Sequence, residues 1–115
     1  MGRDPLGDVV DAPLFIVPRV LDGLRAFRPS FDDLPEPQRS RLETELDSLR
    51  GRLLDGVERH PTRFWVMKQF QRSLEAIGNE DAPSRRHAGE ALDALLGILG
   101  TDDSDGVIAH YLGRR

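Results

Sequence analysis

The amino-acid sequence predicts an all-α fold, a compact bundle of four to five helices, from three observations. Apolar residues recur every three or four positions in four segments, which is the period of a helix with one buried face. The prolines stand at the borders of these segments, where they can begin or end a helix without breaking one. A length of 115 residues is the usual size of one domain. We therefore expect residues 19–115 to form a single helical domain, preceded by an irregular N-terminal segment, residues 1–18.

The N-terminal segment is predicted to be irregular because prolines and glycines interrupt it. Its apolar run Leu14–Val17 fits either a short strand or the start of a helix capped by Asp11, and the pattern leaves both structures open. A first helix is predicted from Arg19 onward, because apolar residues from there share one helical face. It ends before Pro29, since proline disfavours the helical conformation in the residue that precedes it.

The second predicted helix runs from about Glu36 to Arg59, after a proline-rich loop. Its apolar residues fall within about 80° of arc, a narrow stripe typical of a helix packed in a bundle. They are Leu42, Leu46, Leu49, Leu53 and Val57.

Two further long helices are predicted, followed by a short one. Thr62 is a suitable N-cap for the third helix, which extends to about Gly78, and Pro83 suits the first turn of the fourth. The fourth helix has the widest apolar face, about 160° of arc, so we expect it at the centre of the fold. Gly100 is expected to end it in the left-handed conformation, and one of residues 102–104 to cap a last helix that ends near Leu112.

Composition excludes several functional classes. The chain has no cysteine, which excludes disulfides, thiolate metal sites and a cysteine nucleophile. Its net charge is −4 and its arginines are interspersed with acids, so we expect no nucleic-acid binding. No apolar run approaches the ~20 residues of a membrane helix, and the N-terminus does not resemble a secretory signal. We expect a cytoplasmic protein without membrane contact.

The motifs that would indicate catalysis, a metal or a cofactor are incomplete. The segment Thr101–Gly106 resembles a calcium loop, but Thr101 and Leu112 stand where that loop requires an acid and a glutamate. Gly51 and Gly56 have the spacing of a phosphate loop without its lysine. We therefore predict no catalytic residue, no cofactor and no metal, and a protein that is not an enzyme.

Four residues are candidates for binding a partner. Trp65 lies about 150° from the centre of the third helix's apolar stripe, so it either packs on a second neighbour, such as the run at 14–17, or anchors a partner. The other candidates, Asp102, Asp103 and Asp105, form an acidic cluster between the last two helices.

The C-terminal half carries a resemblance to a known family. It contains Glu90-Ala-Leu-Asp-Ala-Leu-Leu-Gly-Ile-Leu-Gly100, then Ser104-Asp105-Gly106 and a short apolar helix ending in Tyr111-Leu112-Gly113. Together with Pro61-Thr62 and Phe64, this order resembles a small proteobacterial family of unknown function, over about residues 59–113. The shared signature is Glu-x-Leu-x-x-x-x-Gly followed by Ser-Asp-Gly; Asp103 and Ala109-His110 depart from the family pattern. The resemblance implies a helical fold and a lineage, and no activity.

These observations favour a non-catalytic protein–protein interaction module, of the immunity or adaptor kind, with a protein partner. One alternative is a homo-oligomeric structural protein, for example a homodimer that buries Trp65 or the second helix's stripe. Another is a small-molecule binder or enzyme with a pocket between helices.

Overall fold

A computed structural model describes residues 5–9, 11–101 and 106–113. Within these residues the prediction of an all-α bundle is confirmed, since they form five α-helices and no strand. A short 3₁₀ helix, Pro5–Asp8, precedes them. The helices are α1 (Pro18–Ala26), α2 (Gln38–Gly56), α3 (Arg63–Ile77), α4 (Ala82–Ile98) and α5 (Val107–Leu112).

The apolar stripes predicted from periodicity form the core. The five residues of the predicted second stripe, four in α2 and Val57 directly after it, are at most 1% exposed. The five stripe residues of α3 are buried to the same extent. Their burial removes water from a continuous apolar surface, which is the main favourable contribution to folding. The stripe of α3 consists of Val66, Met67, Phe70, Leu74 and Ile77.

Helix α4 is central, as its wide apolar face predicts, because it packs against all four other helices described here. Asp81 caps its first turn by accepting a hydrogen bond from the Ser84 amide at 2.9 Å. Its C-terminus ends at Gly100, whose φ of +84° is the left-handed conformation that glycine adopts without strain. Two backbone bonds close this end, from Gly100 N–H to Gly97 and from Thr101 N–H to Leu96.

The N-terminal segment contributes to the core. Leu6 and Leu14 are buried. The run at 14–17 is extended, not the start of a helix: Pro13 forms an isolated antiparallel bridge with Thr62, and Val17 has φ −94° and ψ 165°. Helix α1 then begins at Pro18, whose fixed φ suits a first helical position.

Trp65 packs inside the fold against α2. Its ring lies over Gly56, where an added Cβ would be 2.4 Å from the ring atom Cζ2. The ring also stacks on the imidazole of His60, with centroids 5.5 Å apart. Thr62 Oγ1 accepts a hydrogen bond from the Trp65 amide at 3.2 Å, so the predicted N-cap of α3 is confirmed. The neighbours of Trp65 are thus Gly56 and His60, which the sequence did not indicate.

The close approach of Trp65 predicts opposite effects for two glycine substitutions in one helix. Gly56→Ala should lower the free energy of unfolding by about 1–3 kcal/mol, because its methyl group must displace the indole ring. Gly51→Ala should raise it by about 0.5–1 kcal/mol, since nothing lies within 4 Å of an added Cβ and alanine favours the helix. Urea unfolding followed by circular dichroism measures both. Equal effects at the two positions would contradict the packing described for Trp65.

Candidate functional site

Of the four residues that the sequence offered as partner contacts, the structure describes Trp65 alone. Trp65 is half-buried, and its ring face is covered by Gly56 and His60, so it exposes little apolar surface for a partner. Asp102, Asp103 and Asp105 lie outside the described residues, as does the cap predicted among residues 102–104. Their part in binding stays a prediction. Helix α5 begins with Gly106 at its N-cap position.

The most exposed large apolar side chain among the described residues is one that the sequence did not single out. Phe15 is 84% exposed and Val17 is 46% exposed. Their neighbours in the chain, Leu14 and Ile16, pack against the core. This alternation follows from the extended conformation, in which successive side chains point to opposite sides. The four-residue apolar run is therefore divided, with two side chains in the core and two in water.

Phe15 and Val17 border a surface groove of about 560 Å³ between the start of α1 and the end of α4. We call this surface the apolar face. Its residues are Phe15, Val17, Arg19, Val20, Gly23, Gly97, Ile98 and Gly100.

Glycine allows the two helices beneath the apolar face to approach each other. An added Cβ at Gly23 would lie 2.8 Å from Cγ2 of Ile98, whereas one at Gly97 would meet nothing within 4 Å. The bottom of the groove is consequently close-packed at Gly23 and open at Gly97. Arg19 is the charged residue of this surface, and it forms no ion pair within the described part of the chain. The apolar face thus offers a phenyl ring, an open groove and one cation.

A second cleft, of about 380 Å³, lies between α2 and α3. Leu42, Ala76 and Ile77 line it, and Arg41 and Glu80 stand at its rim. Arg41 donates two hydrogen bonds to the Glu80 carboxylate, through Nε and an Nη, both at 2.7 Å. This bidentate bond holds the pKa of the Glu80 carboxyl below its ordinary value. The two charged groups are each other's hydrogen-bond partners.

A polar network crosses the interface between α2 and α3. The Arg52 guanidinium donates to Ser73 Oγ at 2.9 Å and to the Gln69 carbonyl at 2.9 Å. Ser73 in turn donates to the Glu45 carboxylate at 2.8 Å. Burial lowers the pKa of Arg52. Because Ser73 is fully buried, no substrate reaches its hydroxyl, and the network joins the two helices.

The described part of the chain contains neither a metal-binding cluster nor a membrane-spanning helix. No three histidine, cysteine or acidic side chains among those residues are arranged to hold a metal ion. None of the helices described there is long and apolar enough to cross a membrane.

No family model, no curated protein and no solved structure matches this chain. The resemblance of residues 59–113 to an uncharacterised proteobacterial family therefore stays a prediction.

The bond between Arg41 and Glu80 predicts part of the acid sensitivity of the fold. Because the folded-state pKa of Glu80 lies below its ordinary value of 4.5, the carboxylate stabilises the protein above pH 4.5. That contribution is lost as the pH falls through the lower folded-state pKa. Between pH 7 and pH 3 the Arg41→Gln variant should therefore lose less free energy of unfolding than the wild type does. Urea titrations of both proteins at the two pH values measure this difference. Arg39→Gln is the matched control, since its nearest carboxylate oxygen, on Glu36, is 3.9 Å away. Equal acid sensitivity in the wild type and Arg41→Gln would contradict this assignment.

Proposed function

We propose that this protein is a non-catalytic protein–protein interaction module and that its partner binds the apolar face. The observation that carries the proposal is the 84% exposure of Phe15 beside a groove. Covering a large apolar side chain contributes about 1.5–3 kcal/mol relative to leaving it in water. A partner that covers Phe15 and Val17 together therefore gains apolar contact without rearranging the core.

The state of the polar groups supports binding over chemistry. At the rim of the cleft between α2 and α3, Arg41 and Glu80 satisfy each other. Arg52 and Ser73 are likewise engaged, and Ser73 is inaccessible to solvent. A catalytic group must be within reach of a substrate, and Ser73 is not. Arg41 and Glu80 lie at the surface, but each is the hydrogen-bond partner of the other. The apolar face offers contact area with one charge, which suits recognition of a protein surface.

The proposal includes a cytoplasmic location, which the absence of cysteine supports. It also assigns a part in binding to the acidic cluster. Gly100 belongs to the apolar face, and Asp102, Asp103 and Asp105 follow it within five residues of the chain. In an immunity- or adaptor-like protein, charges beside the binding face affect the rate of encounter with the partner. Trp65 has a supporting part in this proposal, because its ring holds α3 against α2.

The proposal predicts that one added carboxylate on the apolar face abolishes binding. The tagged wild type, Phe15→Asp and Ala76→Asp are each used to capture proteins from the lysate of the source cell. Phe15→Asp should reduce the captured partner by about tenfold or more, because the charge would have to be desolvated in the interface. Ala76→Asp is the matched control: it places the same charge at an exposed alanine in the other cleft.

Intact mass then identifies each captured polypeptide, including untagged copies of this chain. The proposal is supported if a stoichiometric polypeptide is retained by the wild type and Ala76→Asp and lost by Phe15→Asp. It is wrong if Phe15→Asp captures the same polypeptide in the same amount, because binding then occurs elsewhere.

A further inference from the structure

The segment that carries Phe15 has the properties of a strand with one free edge. Ala12 accepts a hydrogen bond from Arg63 N–H at 2.9 Å, and Leu14 N–H donates to the Pro61 carbonyl. In an extended chain, alternate residues direct their N–H and C=O groups to opposite edges. Residues 12 and 14 face the 61–63 segment, so Phe15 and Val17 direct their backbone groups to the opposite edge.

Among the residues that the structure describes, that opposite edge has no partner. Phe15 N–H, Phe15 C=O and Val17 N–H take part in no hydrogen bond within the described part of the chain. Val17 C=O already accepts from the Val20 amide at the start of α1. Two donors and one acceptor are thus available beside the exposed side chains of the apolar face. Free strand edges of this kind are where a second chain pairs.

We propose that the occupant of the apolar face is a second copy of this chain, paired antiparallel through residues 15–17 about a two-fold axis at Ile16. This inference rests on the proposed function, that the apolar face binds protein, and names the partner. About the axis, Val17 N–H of each copy donates to Phe15 C=O of the other. This antiparallel register places the free Val17 N–H of each copy opposite the free Phe15 C=O of the other.

The apolar side chains are self-complementary in this arrangement. Phe15 of one copy lies directly opposite Val17 of the other, on the same outer side of the ribbon, and the two-fold axis repeats the pair. Each Phe15 ring is then next to the open part of the groove, where Gly97 has no side chain to obstruct it. The proposed pair of Phe15 with Val17 of the other copy therefore brings both strongly exposed side chains of the apolar face into contact with apolar surface.

The ends of the segment limit the assembly to two copies. Pro13 and Pro18 flank it and have no N–H to extend the ladder. The other edge is already bonded to residues 61–63, so a third copy has no edge to join. The ends are also complementary in charge, because antiparallel pairing sets Arg19 of one copy toward the Asp11 end of the other. Since the pairing is short, we expect a dimer at the weak, small-area end of protein interfaces.

Sedimentation velocity over a range of concentrations tests the inference on the purified chain. The wild type and Ala76→Asp should change from monomer to dimer as concentration rises, with dissociation constants equal within about twofold. Phe15→Asp should raise the dissociation constant about tenfold or more. Val17→Pro should raise it similarly by removing the donated N–H, while circular dichroism verifies that the helices are intact. A monomer at every concentration, or a dimer unchanged in Phe15→Asp and Val17→Pro, overturns the inference.

A photo-cross-linker separates failure of this inference from failure of the proposed function. The residue p-benzoylphenylalanine replaces Phe15 in the purified protein and, separately, in the source cell. A cross-linked dimer of this chain in both experiments supports the second copy as occupant. A cross-link only to a different polypeptide, together with a monomeric purified protein, overturns the second copy and leaves the apolar face as a binding site. No cross-link in either experiment overturns both.

Discussion

The contact between the Trp65 ring and the backbone at Gly56 determines how closely α2 and α3 pack, and much of the remaining structure depends on it. An added Cβ at position 56 would lie 2.4 Å from the ring, so only glycine allows this separation without a shift. The same ring stacks on His60, in the turn that joins the two helices. The contact therefore links the end of α2, the turn and the first turn of α3, which Thr62 caps. It also brings together the partners of the polar network formed by Arg52 and Ser73.

The turn at 57–62 in turn positions the apolar face. Residues 61 and 63 form the backbone hydrogen bonds that hold residues 12 and 14 extended. Once Leu14 is fixed with its side chain in the core, the alternation of an extended chain directs Phe15 outward. Helix α1 begins immediately afterwards and crosses α4 at Gly23. The exposed phenyl ring is thus a consequence of hydrogen bonds made by a turn about fifty residues later in the chain.

The sequence predicted the helices well because their information is local. The stripes of α2 and α3 repeat every three or four residues, and caps such as Thr62 and Gly100 mark their ends. The apolar run at 14–17 has no period that distinguishes a strand from a helix, so its structure depended on a distant hydrogen-bonding partner. The same limit applies to the site. That Trp65 lies off its stripe was visible from the spacing, but its pairing with Gly56 is tertiary. The outward direction of Phe15 required a register that only the 61–63 segment supplies.

No rearrangement of the extended segment itself relieves the exposure of Phe15 within the described part of the chain. Shifting the extended segment by one residue would bury Phe15 and Val17, but it would expose Leu14 and Ile16 instead and lose the hydrogen bonds to residues 61–63. Rotating the Phe15 side chain alone does not bring it into the core, because the extended backbone directs it to the opposite side. Arg41 and Glu80, in contrast, are each other's hydrogen-bond partners inside the fold. What remains exposed on this surface, among the residues the structure describes, is apolar area and the unpaired edge of the extended segment, and the proposed binding of another polypeptide rests on these two features.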